Sequence, residues 1–179
     1  MTDVQGMSAA AYRLLGEPSA QLPTGMRVAI VVSRWNDQVT KRLLDAAVWR
    51  LHAAGLTHEA IDVVWVPGSF ELPLAADRLA ATGDYAAVLC FGAIIRGETE
   101  HDRHIAQAVA RGIEETARGH GLPVLFGVLT CETLAQAFAR AGGTAADGFA
   151  GNKGVECAGA ALDMIALCQS LSRSSASAR

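Results

Sequence analysis

The chain is poor in several of the features that usually mark a function. It has only four cysteines, Cys90, Cys131, Cys157 and Cys168, scattered and without a C-x-x-C pair. Apolar neighbours such as Leu89 and Phe91 around Cys90 mark them as buried free thiols rather than a disulfide framework. The five histidines add no zinc-ligand spacing, so no metal site is expected. Runs of Lys or Arg are missing as well. With a formal net charge of -3 the chain has little to offer a phosphate backbone, which argues against a nucleic-acid partner. No apolar stretch is read as long enough for a membrane span, and the start lacks a basic-then-apolar leader pattern. The expectation is a cytoplasmic protein with no membrane partner.

What is present fits one domain. A length of 179 residues, 51% of them apolar, can bury an ordinary core. Residues 1–25 mix Gly, Pro, Ser and Gln without a period and read as an amino-terminal arm. Residues 26–171 carry the domain, and 172–179 read as a Ser-rich, frayed tail. Within the domain, apolar runs at 27–33, 62–66, 86–95 and 123–130 have strand length and are apolar on both faces, as strands of a covered parallel sheet are. Helical patterns lie between them. The first opens at Asn36 and Asp37, good N-caps, repeats through Val39, Leu43, Ala47 and Leu51, and meets Gly55 as a C-cap. Others are expected over 70–81, with Pro73 near the start and Gly83 beyond the end, over 100–118 closed by Gly119, over 133–141, and over 155–171. Regular alternation predicts a three-layer α/β/α sandwich around a four-stranded parallel sheet.

In such sheets ligands bind at the carboxyl ends of the strands, and the polar and glycine residues gather there. After the first strand, Trp35 can stack on a planar heterocycle, or it can cover a helix end or a subunit contact. A Gly-x-Gly-x-x-Gly turn is absent at that place, and so is a Ser/Thr-rich phosphate loop. These absences argue against a dinucleotide-dependent dehydrogenase and a flavodoxin electron carrier. After the second strand, Ser69, Phe70 and Glu71 can bind a ring edge and hydroxyl groups, against core packing for Phe70 and dipole compensation for Glu71. After the third, Glu98 and Thr99 offer helix-start N–H groups to an anion, though similar turns exist that bind nothing. His101, in the first helical turn, is placed where the dipole favours a neutral imidazole able to move protons near pH 7, or it is a surface residue. His104 reads as rim. Arg140 can pair with a phosphate or favour a helix end, and Lys153 can be a second anion contact or merely solvated.

Taken together, Trp35-Asn-Asp37, Val66-Pro-Gly-Ser-Phe-Glu-Leu-Pro73, Gly92-Ala-Ile-Ile-Arg-Gly-Glu-Thr99 followed by His101, Pro123-Val-Leu-Phe-Gly-Val-Leu-Thr130 and Gly151-Asn-Lys-Gly154 resemble the lumazine synthases, in order and near the right spacing. The resemblance spans about 27–167. It implies a flavodoxin-like topology and condensation of 5-amino-6-(D-ribitylamino)uracil with 3,4-dihydroxy-2-butanone 4-phosphate, without a cofactor. It implies that Trp35 stacks on the pyrimidine, where Phe is more usual, and that Ser69, Phe70, Glu71, Ala93, Ile94 and Ile95 line its pocket. Phe126 would come from a neighbouring subunit. Glu98 and Thr99 would bind the phosphate with Arg140 of the adjacent subunit, Lys153 would be a further contact, and His101 would be catalytic.

The stretch 142–151 is longer than the compact connection of relatives that build 60-subunit cages. By resemblance this implies a pentamer or a dimer of pentamers with sites at subunit interfaces, and an arm able to extend a neighbour's sheet. The competing expectation is a non-catalytic relative that keeps the pocket to store or sense a lumazine or flavin. A phosphate clamp and a proton shuttle argue against it, since a pure ring-binder needs neither.

Overall fold

Four parallel strands form the centre of the computed structural model, which describes residues 25–176. They are β1 (Val28–Ser33), β2 (Ile61–Val66), β3 (Ala87–Ile95) and β4 (Val124–Cys131), in spatial order β2-β1-β3-β4. The ladder is continuous from β2 to β4, with Val28 opposite both Ile61 and Ala87, and Val88 opposite Val124. β1 is buried throughout and β3 nearly so, which explains why their residues are apolar on both faces.

Five helices join and cover the strands: α1 (Asp37–Ala53), α2 (Leu72–Thr82), α3 (His101–His120), α4 (Leu134–Arg140) and α5 (Lys153–Ala176). One face of the sheet packs Val28, Ile30, Val32, Leu89 and Phe91 against Val39, Leu43 and Leu51 of α1 and Ala158, Ala161 and Ile165 of α5. The other packs Ala29, Val31, Val88 and Cys90 against Leu72 and Ala76 of α2 and Val109 and Ile113 of α3. The expected three-layer sandwich is therefore present. Its strand order is that of flavodoxin-like sheets, in which successive crossovers leave β1 toward opposite edges.

Helix ends differ from expectation in three places. Asn36 does not cap α1 through its side chain; its backbone is left-handed (φ 60°) and its amide reaches elsewhere. The Gly55 stop holds: Gly55 is left-handed, and the N–H groups of Gly55 and Leu56 return to the carbonyls of His52 and Leu51, a Schellman ending. α3 runs past Gly119 and is closed by Gly121 at φ 60°. α5 begins at Lys153 and continues beyond Leu171 to Ala176, through part of the stretch expected to fray. The amino-terminal arm up to residue 24, and residues 177–179, lie outside the described residues.

A further correction concerns α5. It is long and apolar enough to cross a membrane by length and composition. Part of its apolar surface belongs to the core, where Cys157, Ala158, Ala161, Leu162, Ile165 and Ala166 are buried, while Met164 and Leu171 are exposed. All four cysteines are free thiols, three of them buried and Cys168 half-buried.

The long α4–α5 connection folds back on α1. Phe149 takes a left-handed backbone (φ 55°) and sets its ring edge-on to Trp49, with centroids 5.8 Å apart. Within it, Asp147 accepts from the Thr144 N–H at 2.8 Å, which holds its carboxyl below the usual carboxylate range.

Candidate active site

The carboxyl ends of β1, β2 and β3 lie side by side at one end of the sheet. β1 lies between β2 and β3 and its crossovers diverge, the switch point at which open α/β sheets bind ligands. The turn leaving β1 is tied to the turn leaving β2, with Arg34 N–H on Val66 O at 2.8 Å and Trp35 N–H on Pro67 O at 3.1 Å. Ser33 Oγ donates to Trp35 O, and Thr40 Oγ1 donates to Ser33 O. On the other side, Asn36 Nδ2 donates to Ala93 O near the end of β3 at 2.7 Å. Backbone bonds on one flank and the Asn36 amide on the other thus fix the Trp35 turn, while the indole itself is 74% exposed.

The next wall is the 3-10 turn Ser69–Glu71. Ser69 is buried against β3 at Gly92, where a Cβ would come within 2.5 Å of Ser69 Oγ. Gly92 is the room that the Ser-Phe-Glu turn requires, a coupling between two of the motifs. Phe70 is 60% exposed, so core packing does not account for it. Glu71 is partly committed: one carboxylate oxygen accepts from Gly68 N–H at 2.8 Å, closing its own turn. Ala93 and Ile94 are buried in β3, and Ile95 is half-buried at its end.

Beyond β3 the chain turns into α3. Arg96 N–H bonds to Cys131 O at 2.9 Å, and its guanidinium pairs with Glu132 at 2.6 Å, which raises its pKa and keeps it charged. Glu98, Thr99, His101 and His104 are exposed. Thr99 Oγ1 accepts from the His101 N–H at 3.4 Å, and His101 is the first residue of α3. A helix start, a hydroxyl and an imidazole therefore share one exposed turn, an arrangement suited to an anion and to proton transfer beside it.

Phe126, Arg140 and Lys153 fall in a separate place. With Gly127, Thr130 and Glu156 they line a groove of about 310 Å³ on the outer side of β4, the edge strand. Phe126 is 46% exposed there. Arg140 makes one long bond, Nη1 to Gln136 O at 3.4 Å, and Lys153 pairs with Glu156 at 2.6 Å. None of Trp35, Ser69, Phe70, Glu71, Thr99 or His101 lines this groove. One chain thus gathers the expected residues into two groups. Among the described residues no set of three or more His, Cys, Asp or Glu side chains is arranged to hold a metal ion.

Two residues of these surroundings escaped the sequence reading. Thr130 lines the groove without having been singled out. Asn36 reads as a helix cap by sequence, whereas the structure gives it a bond to β3.

Comparison with known proteins points to one family. The profile of the 6,7-dimethyl-8-ribityllumazine synthase family matches residues 25–169. A 6,7-dimethyl-8-ribityllumazine synthase of Coxiella burnetii (strain CbuG_Q212) is 45% identical over 148 residues, covering 83% of this chain and 95% of that protein. One of Pediococcus pentosaceus is 44% identical over 148 residues, covering 83% and 92%. A chloroplastic 6,7-dimethyl-8-ribityllumazine synthase of Arabidopsis thaliana is 46% identical over 143 residues, covering 80% and 61%. With its sheet order, its motif-bearing turns and these relatives in agreement, the chain belongs to the 6,7-dimethyl-8-ribityllumazine synthase family.

Proposed function

We propose that this protein joins 5-amino-6-(D-ribitylamino)uracil to 3,4-dihydroxy-2-butanone 4-phosphate, giving 6,7-dimethyl-8-ribityllumazine, phosphate and water in the penultimate step of riboflavin biosynthesis. The observation that carries this reading is that exposed Trp35 and Phe70 stand on the turns that follow β1 and β2, while β3, the other neighbour of β1, leads to the Thr99–His101 turn. Large exposed rings at such a polar-rimmed switch point are suited to a planar heterocycle. Ser69, Ala93, Ile94 and Ile95 border the ring, and the free oxygen of Glu71 faces the ribityl hydroxyls. Glu98 and Thr99 hold the phosphate through the helix start.

In the reaction the substrate amine adds to the ketone and loses water to give an imine. Phosphate leaves with its bonding electrons as the carbon skeleton is deprotonated. The ribitylamino nitrogen then closes on the remaining carbonyl, and a second water is lost. Each step moves a proton, and His101 is placed to relay it, a contribution of about 100- to 10,000-fold. Holding two substrates in register supplies much of the rest. No step calls for a redox centre or cofactor.

The two-group arrangement supports a site shared between subunits, with Phe126, Arg140 and Lys153 of one chain closing on the Thr99–His101 turn of its neighbour. A pentamer or a pair of pentamers follows, with the long connection folded on α1 filling the space a cage contact would use. The free thiols suit a reducing compartment, and we place the protein in the cytoplasm.

Incubating the purified protein with both substrates and following the fluorescent lumazine tests the reading. Product should form, slowly in His101→Ala and with a raised KM for the sugar phosphate in Arg140→Ala. Tight binding of a ribityl-bearing ring without product would instead indicate a binding relative. Light scattering should give about 94 kDa for five chains of 18.7 kDa, or twice that, and a particle near 60 chains would overturn the assembly.

A further inference from the structure

We infer that Asn152 is a positioning residue that sets the spacing of the two groove cations, Arg140 and Lys153, and thereby the affinity for the phosphate-bearing substrate. The inference rests on the reaction proposed above and assigns a role to a residue that touches neither substrate.

Arg140 ends α4 and Lys153 begins α5, and a long connection lies between them. Sequence proximity therefore does not fix their separation; something must clamp the two ends. Asn152 is 1% exposed, one of five buried polar side chains among the described residues. Its Nδ2 donates to Gly142 O at 2.8 Å, just beyond Arg140, and to Arg42 O of α1 at 3.4 Å. Its Oδ1 accepts from Gly154 N–H at 2.8 Å, just beyond Lys153. Both amide protons and the carbonyl are thus used, and the three partners belong to the Arg140 segment, the Lys153 segment and the α1 scaffold. The orientation of the amide is fixed by this pattern, because the reversed side chain would set its oxygen against two carbonyls.

The scaffold side is rigid. A Cβ on Gly154 would sit 2.1 Å from Leu43 O, so the start of α5 is pressed directly on the α1 backbone. A Cβ on Gly142, by contrast, would meet only the helix carbonyls of Phe138 and Ala139, at 3.4 and 3.6 Å. The Asn152 amide is the polar bond that ties the Arg140 end to that fixed point. Loss of the donor frees Arg140 to shift relative to Lys153 while both cations remain present. Displacement of about 1 Å in a clamp of this kind costs up to about 100-fold.

Asn152→Asp keeps the acceptor for Gly154 N–H and removes the donors; Asn152→Ser offers one shorter hydroxyl and serves if the aspartate variant does not fold. In the lumazine assay on the full chain, either variant should raise the KM for the sugar phosphate at least tenfold. The KM for the ribitylaminouracil should stay within about twofold, and inhibition by inorganic phosphate should weaken in parallel. A merely structural residue would shift both KM values together or neither, and that result would overturn the inference. Should the wild type make no product, the proposed reaction fails, and inorganic phosphate titrated alone decides the role of Asn152. Weaker phosphate binding by Asn152→Asp than by wild type sustains it, and equal binding refutes it.

Discussion

The side-chain amide of Asn36 bonds to the Ala93 carbonyl at 2.7 Å from a left-handed backbone, joining the turn after β1 to the end of β3. Asparagine tolerates that backbone region, and its short amide reaches the carbonyl. Asn36→Ala loses both advantages and should cost about 1–3 kcal/mol. Asn36→Gly keeps the backbone and should cost less. Denaturant melts of the two variants check the order, and an alanine variant as stable as wild type would count against it.

Gly92 is the second point of close fit. Gly92→Ala would drive a methyl into Ser69 Oγ and the Leu72 side chain. Overpacking of this kind costs about 1–3 kcal/mol. Because the strained neighbour is the Ser69–Glu71 turn, affinity for a ribityl-bearing ring should fall along with the melting temperature. Calorimetric titration reads the first and a thermal scan the second; full retention of affinity would separate the two motifs.

Mixing experiments test the shared site. His101→Ala and Arg140→Ala should each be nearly inactive at low sugar phosphate. Unfolded together and refolded, they should recover activity, because some interfaces then pair an intact His101 with an intact Arg140 of the neighbour. If mixtures remain as inactive as their parents, each site lies within one chain.

The thiols make a pH prediction. Burial raises both Cys90 and Cys157, the latter to about 12, against an ordinary value of 9.0. The folded chain therefore holds thiol protons that the unfolded chain releases from about pH 8.5 upward. Stability from this source is complete below that pH and declines as pH rises toward 12. Cys157→Ala should flatten the decline in urea melts taken between about pH 8.5 and pH 10.5. In the native protein at pH 8, half-buried Cys168 should take up a thiol reagent well before Cys90 or Cys157.

The four strands could be read from the chain because burial on both faces leaves an unbroken apolar run. Helix ends were harder for identifiable reasons. Gly119 and Gly121 are both plausible stops, and only the backbone shows that Gly121 is left-handed. The Ser-rich stretch from 172 resembles a frayed end by composition. Yet Ser172 Oγ donates to Cys168 O, bonding back onto the helix just as Ser170 Oγ does to Ala166 O one step earlier. In the site, residues bound to their own turn were legible from motifs. The long-range bonds of Asn36 and Asn152, though both residues stand in motifs, were not, since their partners Ala93, Arg42 and Gly142 are set by the fold.

One consequence follows from where α5 packs. Together with α1 it covers one face of the sheet, against Val28, Leu89 and Phe91, and it is the last element among the described residues. On a ribosome, the α2–α3 face can therefore close early, while the α1 face waits for residues beyond 153 with its aliphatic side chains still wet. Nascent chains stalled before that point present a half-covered sheet, the kind of surface that aggregates or recruits holding factors. Carboxyl-terminal truncations ending before α5 should accordingly fail as insoluble protein rather than as folded, inactive enzyme.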